Sequence, residues 1–334
     1  MSRSQLTSTD QQNSGGPVAP FVAGKNLLIN GQFNVWQRGT SFASPTYTAD
    51  RWRGPGNAGR TITQQTGGPE GSTYYLRSQR DSGNTSTAAT GIAQALESIQ
   101  SKPYAGKTVT LSFWARAGAN YSASSNSLTV DIVTGTGTDQ TPWASWTGAA
   151  LAVDTGVTLT TSWQKFSVTG TLSASANQVG ILCIQYPTGT AGAADYVDFA
   201  DFQLEAGSVA TPFTTATGTL SGELALCQRY YWRTPQPVGS SDRISVFGTC
   251  TSTTEQRVVV QHPVPMRLAP TTIDYASLRA YDGAGFPTVT SIAITSTTPL
   301  YSEVVSVGTG LTAYRPTAYA VTATTGYFGF TAEL

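Results

Sequence analysis

The sequence predicts an all-β protein, a jelly-roll β-sandwich followed by a second, smaller β-sandwich, and three observations carry that expectation. From Asn26 onward, short apolar or alternating runs recur between Gly, Pro, Asn and Ser turns. Only 11% of the 334 residues are charged, while Gly, Ser, Thr and Ala dominate, a texture of many strands and turns. A single segment carries a convincing helical pattern, and it is too short to stand without packing against something else.

The elements follow in order. Residues 1–25 are polar and punctuated by Gly15, Gly16, Pro17 and Pro20, so they form an arm that orders only against a partner, because fixing each residue costs about 1–2 kcal/mol. Strands are expected at 27–30, 60–65, 74–78, 91–96, 108–117, 127–133, 164–170, 178–185 and 196–204. The period-2 signature is clearest where Val109, Leu111 and Phe113 alternate with Thr108, Thr110 and Ser112. Together these runs make a jelly roll over 26–217.

A junction spans 218–236, with a helix from Gly222 to about Trp232 and Ser221 as its N-cap. Leu224, Cys227 and Tyr231 share one face and Tyr230 lies on an adjacent one, so these four are expected to pack between domains or between subunits. After Pro235 and Pro237 a second set of strands, at 243–249, 257–261, 288–294, 303–307, 318–322 and 326–332, makes a C-terminal β-sandwich over 237–334.

Several function classes are excluded at this level. Net charge is zero and no stretch concentrates Lys and Arg, so a nucleic-acid backbone finds no electrostatic footprint. No apolar run approaches the ~18 residues of a membrane-spanning helix. Cys183, Cys227 and Cys250 are odd in number and widely spaced, the pattern of buried free thiols. His262 is the sole histidine and no Gly-x-Ser-x-Gly elbow accompanies it, so a structural role is expected. Asp198 and Asp201 are three residues apart and face opposite sides of a regular strand, which disfavours a shared site unless a bulge intervenes. Asp195 is too far along the strand, ~20 Å, to pair with Asp201 across one glycosidic bond. Asp50 and Arg51 are adjacent and should serve different neighbours.

Three stretches carry a resemblance. Asn26-Leu27-Leu28-Ile29-Asn30-Gly31-Gln32-Phe33, with Val35-Trp36-Gln37-Arg38-Gly39 and Ala49-Asp50-Arg51-Trp52, resembles the opening of carbohydrate-binding-module-like jelly rolls in phage and prophage tail-fibre proteins. Tyr104 to Arg116, Trp163 to Phe166 and Val197 to Gly207 follow in that family's order. Glu223-Leu224-Ala225-Leu226-Cys227-Gln228-Arg229-Tyr230-Tyr231 is similar to the junction after this domain, and Val264-Pro265-Met266-Arg267 and Phe330-Thr331-Ala332-Glu333-Leu334 are similar to phrases of its small C-terminal domain.

The resemblance implies a structural, non-enzymatic virion protein on a tail or head appendage, made in the host bacterial cytoplasm. Its arm would dock to other virion proteins, the chain would be a homotrimer, and the ligand would be host surface polysaccharide. A purely structural decoration or adaptor protein is the alternative, and a polysaccharide depolymerase ranks last. Such modules stack aromatic faces on sugar rings, which singles out Trp143, Trp146, Tyr121 and Tyr186 in or beside loop-like segments. Trp36, Trp52, Trp114 and Trp163 sit in strand or core phrases and are expected to be structural. No cofactor is required, although related jelly rolls carry a structural Ca²⁺ to which Asp201 would contribute.

Overall fold

A computed structural model describes residues 24–43, 47–54, 59–142, 144–235, 239, 242–244 and 248–334. All but the last two residues of the expected arm, and Trp143, lie outside the described residues.

Ten strands build the first unit: β1 (Ser41–Phe42), β2 (Arg60–Thr66), β3 (Tyr74–Arg80), β4 (Thr90–Ala95), β5 (Thr108–Ala117), β6 (Ser127–Gly135), β7 (Ala150–Thr158), β8 (Gln164–Thr171), β9 (Gln178–Gln185) and β10 (Tyr196–Ala206). They pair antiparallel in two sheets, one ordered β1-β2-β3-β10-β5-β8 and the other β4-β9-β6-β7, the jelly-roll-type sandwich expected. Alternation decides which side chains meet between the sheets. Val109, Leu111 and Phe113 of β5 enter the core with Leu128, Val130 and Ile132 of β6 and Ile181 and Cys183 of β9. Phe113 stacks on Phe202 at 4.8 Å, and Trp52 contacts Phe33 at 5.0 Å and Phe202 at 4.8 Å between ring centroids.

The first expected strand, at 27–30, is not one. Asn30 and Phe33 take positive φ of 57° and 56°, which bends the chain away from strand geometry. In place of a neighbouring strand, the Gln94 side chain accepts from Ile29 N–H at 2.8 Å and donates to Ile29 C=O at 2.9 Å. Gly31 then presses against β10, where any Cβ would sit 2.1 Å from the Phe202 carbonyl oxygen, so no other residue fits.

The first helix, α1, is one short turn (Ser98–Ser101), and the junction helix α2 spans Leu220–Gln228. Thr219, not Ser221, caps α2, its side chain accepting from Gly222 N–H. The helix stops before Tyr230 because the chain passes directly into a strand paired with the C-terminal unit. Cys227 and Tyr230 pack with Ile29 and Val35, and Tyr231 is buried, whereas Leu224 is 38% exposed. Three of the four junction residues are thus occupied within the chain.

The second unit comprises β11 (Tyr231–Arg233), β12 (Gly248–Cys250), β13 (Glu255–Gln261), β14 (Thr272–Ala276), β15 (Leu278–Tyr281), β16 (Thr288–Thr297), β17 (Tyr301–Thr309), β18 (Pro316–Val321) and β19 (Tyr327–Thr331). The unit is all-β as expected, and where a second β-sandwich was expected its strands form a closed barrel with a flanking sheet. Strand β18 pairs with both β12 and β15, closing the barrel β12-β13-β17-β16-β15-β18, with β11-β19-β14 as a separate sheet. Val258, Val260, Val304, Tyr319, Phe328 and Phe330 fill the interior. His262 is buried, its Nδ1 2.8 Å from Pro299 O and its Nε2 3.1 Å from Ser302 Oγ, and burial lowers its pKa. All three cysteines are buried and free.

A polar network joins the units. Arg51, 2% exposed, pairs with Glu333 and donates to Ala95 O at 2.8 Å, while its guanidinium lies 3.5 Å from the Tyr230 ring centroid. Arg38 also reaches Glu333, at 3.1 Å. Asp50 serves Gln37 and Arg38 instead, the two side chains being parted by a turn in which Arg51 takes a positive φ of 71°, and burial pushes the Asp50 carboxyl up to about 6.

Candidate functional site

Of the four aromatic residues singled out in the sequence, Trp143 lies outside the described residues, and Tyr121, Trp146 and Tyr186 do not form one surface. Tyr121 is buried in the sandwich core, and its hydroxyl donates to Ser127 O at 2.9 Å. Trp146 is 8% exposed and packs with Ala95 and Leu334, its Nε1 donating to Thr141 O. Tyr186, 54% exposed, follows the far end of β9 from Gly180, the residue that Trp146 covers. Six residues of strand separate those points by ~20 Å. Tyr121 is therefore a packing residue and Trp146 is largely one, with only an edge lining a small cleft, and their loop-like sequence surroundings misstated their exposure.

The outer face of the six-stranded sheet gathers the groups that sequence reasoning missed. At its centre, fully buried Asp198 bridges Arg77 at 2.7 Å and Arg116 at 2.8 Å. Arg77 covers Tyr196 at 3.6 Å, Arg116 covers Trp163 at 4.7 Å, and Trp163 meets Tyr75 edge-on at 5.3 Å. Trp114 and Trp163, expected to be structural, are half-buried, and Trp163 packs in this outer row against Arg116 and Tyr75.

Beside this row the sheet opens into a cleft of about 840 Å³. The bulge in β10 between Ala200 and Gln203, with Asp201 at φ 52°, creates it. It turns Asp201 to the same outer side as Asp198, which a regular strand could not do. Both Asp201 carboxylate oxygens lie 2.7 Å from Ser72 Oγ. Burial pushes this carboxyl up to about 6, with Glu70 adding to the rise and Ser72, Lys165 and Gln32 opposing it. Gln32, Asn34, Lys165 and Phe213 complete the walls. Asn34 donates to Gln32 at 2.8 Å, but its own carbonyl oxygen is buried without a hydrogen-bond partner. The cleft thus offers acceptors, donors and one aromatic side chain, the mixture that fixes a polyhydroxylated ligand.

Calcium chemistry fits less well. A Ca²⁺ ion takes six to eight oxygens, whereas Asp201 faces a hydroxyl donor, an amide and a lysine. Among the described residues no group of three or more His, Cys, Asp or Glu could hold a metal. Asp195 is likewise committed, to Arg80, Ser122 and Gln185.

No protein-family model matches the chain, and no curated protein matches it. Among solved structures, the chain is similar to a CBM4 structure, with 21% identity over 53% of this chain and 98% of that one and a TM-score of 0.35. The CBM22-1 xylan-binding domain of Paenibacillus barcinonensis Xyn10C is 13% identical over 56% of this chain and 98% of that one, with a TM-score of 0.34. The enzymatically active domain of bacteriophage CBA120 tailspike protein 4 is 11% identical over 55% of this chain and 22% of that one, with a TM-score of 0.35. Strand order and pairing, rather than these scores, define the fold described above.

Proposed function

We propose that the protein is a non-catalytic, fibre-type structural component of a bacteriophage virion that presents a glycan-binding face. The observation that carries glycan binding is the Asp201 cleft, where Gln32, Asn34, Lys165 and Glu70 surround a space of about 840 Å³ beside an aromatic and arginine row. The virion assignment is supported by the resemblance of the Asn26–Phe33, Val197–Gly207 and Glu223–Tyr231 phrases to phage fibre proteins. In this reading the N-terminal arm docks to the particle, the chain assembles as a homotrimer, and multivalency turns weak sugar contacts into avidity.

Titration of the full chain with host surface polysaccharide tests it. Lys165→Ala and Asp201→Asn should each weaken binding at least tenfold without unfolding the sandwich. Unchanged affinity in both variants removes the cleft from consideration. A second reading, hydrolysis, is favoured by one observation only, that Asp201 is raised to about 6 with Glu70 acting on it. Release of reducing sugar that depends on Asp201 would convert the binder into an enzyme.

A further inference from the structure

A second cleft, of about 310 Å³, lies on the outer face of the four-stranded sheet, beneath the segment joining β6 to β7. It is lined by Asp131, Val133, Trp146, Leu151, Gly180 and Leu182. The described residues of the covering segment are tied down on both sides. Asp139 and Ser98 exchange hydrogen bonds at 2.7 and 2.9 Å, Gln140 and Gln178 are joined at 2.9 Å, and Asp139 pairs with Arg267 of the C-terminal unit at 3.2 Å.

Into this apolar space the sheet places one uncompensated charge. Asp131 is 8% exposed, yet no hydrogen bond or ion pair reaches its carboxylate among the described residues, and its Oδ1 is buried and unpartnered. Its cross-strand neighbour on β7 is another acid, Asp154, on the exposed edge strand. On the other side Asp131 is paired with Leu182 of β9, and the cation beyond β9 and β4, Arg53, which bridges Ala93 of β4, is spent on Pro142 O at 2.6 Å. An unpaired carboxylate so placed costs free energy unless a cation arrives to make a charge-assisted hydrogen bond.

We propose that this cleft is a second binding site, independent of the Asp201 cleft, for a ligand bearing an ammonium group on a compact ring-shaped body, such as a non-acetylated amino sugar. Asp131 would take the ammonium, Asp154 would add to the negative potential, and Leu182, Val133 and the Trp146 edge would cover the ring's apolar face. Acidic sugars would be repelled by the same pair.

Calorimetric titration of the full chain at neutral pH with fully deacetylated glucosamine trimer, and with its N-acetylated counterpart, tests the proposal. The deacetylated form should bind at least tenfold more tightly. Asp131→Asn should abolish that preference, while Leu300→Ser, on the distant barrel surface, should leave it unchanged. Should Asp131→Asn fail to fold, Asp154→Lys supplies a tethered ammonium opposite Asp131 and should block binding while keeping or raising the melting temperature. Equal affinity for the two trimers, no binding of either, or binding that survives Asp131→Asn or Asp154→Lys overturns the site. Loss of polysaccharide binding through Asp201→Asn is a separate result and leaves this one standing.

Discussion

The sandwich and the barrel solve the same problem, burying the faces of antiparallel sheets, with opposite treatments of charge. The sandwich holds Asp50, Arg51, Arg60, Arg80, Asp195 and Asp198 at 4% exposure or less. The C-terminal unit buries Asp282, at 2% exposure and held by the Ala284, Gly285 and Thr312 N–H groups, but on its barrel strands it turns charges outward, as in β13, where Val258 and Val260 point in while Arg257 is exposed. Instead, the C-terminal unit spends its surface on isolated apolar groups, with Tyr275, Phe286, Leu300, Tyr301 and Tyr314 all exposed. The difference follows from coverage. Both outer faces of the sandwich are overlain in part by loops, so polar outward residues become buried and must be paired, whereas the barrel exterior stays wet. Single truncations of outward-facing residues should therefore hurt the sandwich and leave the barrel nearly untouched.

Five substitutions can break or sharpen that contrast. The largest effect is expected for Glu333→Ala, which strands buried Arg51 and should cost ~3–5 kcal/mol in chemical denaturation. Trp146→Ala should follow at about 3 kcal/mol, because its ring fills the space over Gly180 and next to Leu334. A loop aromatic of the exposed kind would have lost almost nothing. Asp198→Asn leaves Arg77 and Arg116, each partly solvated, with a weaker acceptor, and a loss of about 2 kcal/mol should appear as a lower melting temperature.

The fourth is a pH experiment. Asp131 has its carboxyl raised to about 6 by burial and by Asp154, so its contribution to stability is full below the ordinary value of 3.8 and lost as pH rises through about 6. Asp131→Asn should then match the wild type at pH 3.5 and melt higher than it at pH 7. A melting difference that does not change with pH means the group is not perturbed in the fold. Smallest of all, Leu300→Ser on the barrel surface should stay within about 0.5 kcal/mol of wild type. A larger loss would mean that the barrel exterior is covered by something in solution.

Strands with a dense set of buried apolar residues were plain in the sequence. The expected bounds at 108–117, 178–185 and 196–204 agree with β5, β9 and β10 to within two residues, because apolar residues alternate in β5 and run together in β9, bounded by polar or turn residues. Strand β7 was missed, since Ala150–Thr158 is an edge strand of Ala, Gly and Asp with hardly any buried position. Strands β14 and β15 are short and lie on either side of Ser277, whose φ is 52°. The cleft was illegible for a different reason. Asp201 gains its outward direction from a bulge, and a bulge leaves no mark in the spacing of side-chain types. Trp146 shows the converse failure, since Gly135 and Gly180 make room for its ring from strands far apart in sequence. The Gly-rich loop composition around it pointed to exposure.

Arg51 and Glu333 are separated by 282 positions in the chain. During refolding, the sandwich can collapse around its aromatic centre while that guanidinium still lacks its counter-ion, and only the docking of the segment after β19 neutralises it. Sandwich formation and barrel docking should therefore appear as successive kinetic events, with the long-range closure as the slow one. The two units should then unfold together, because withdrawing Glu333 leaves the buried Arg51 guanidinium without its counter-ion.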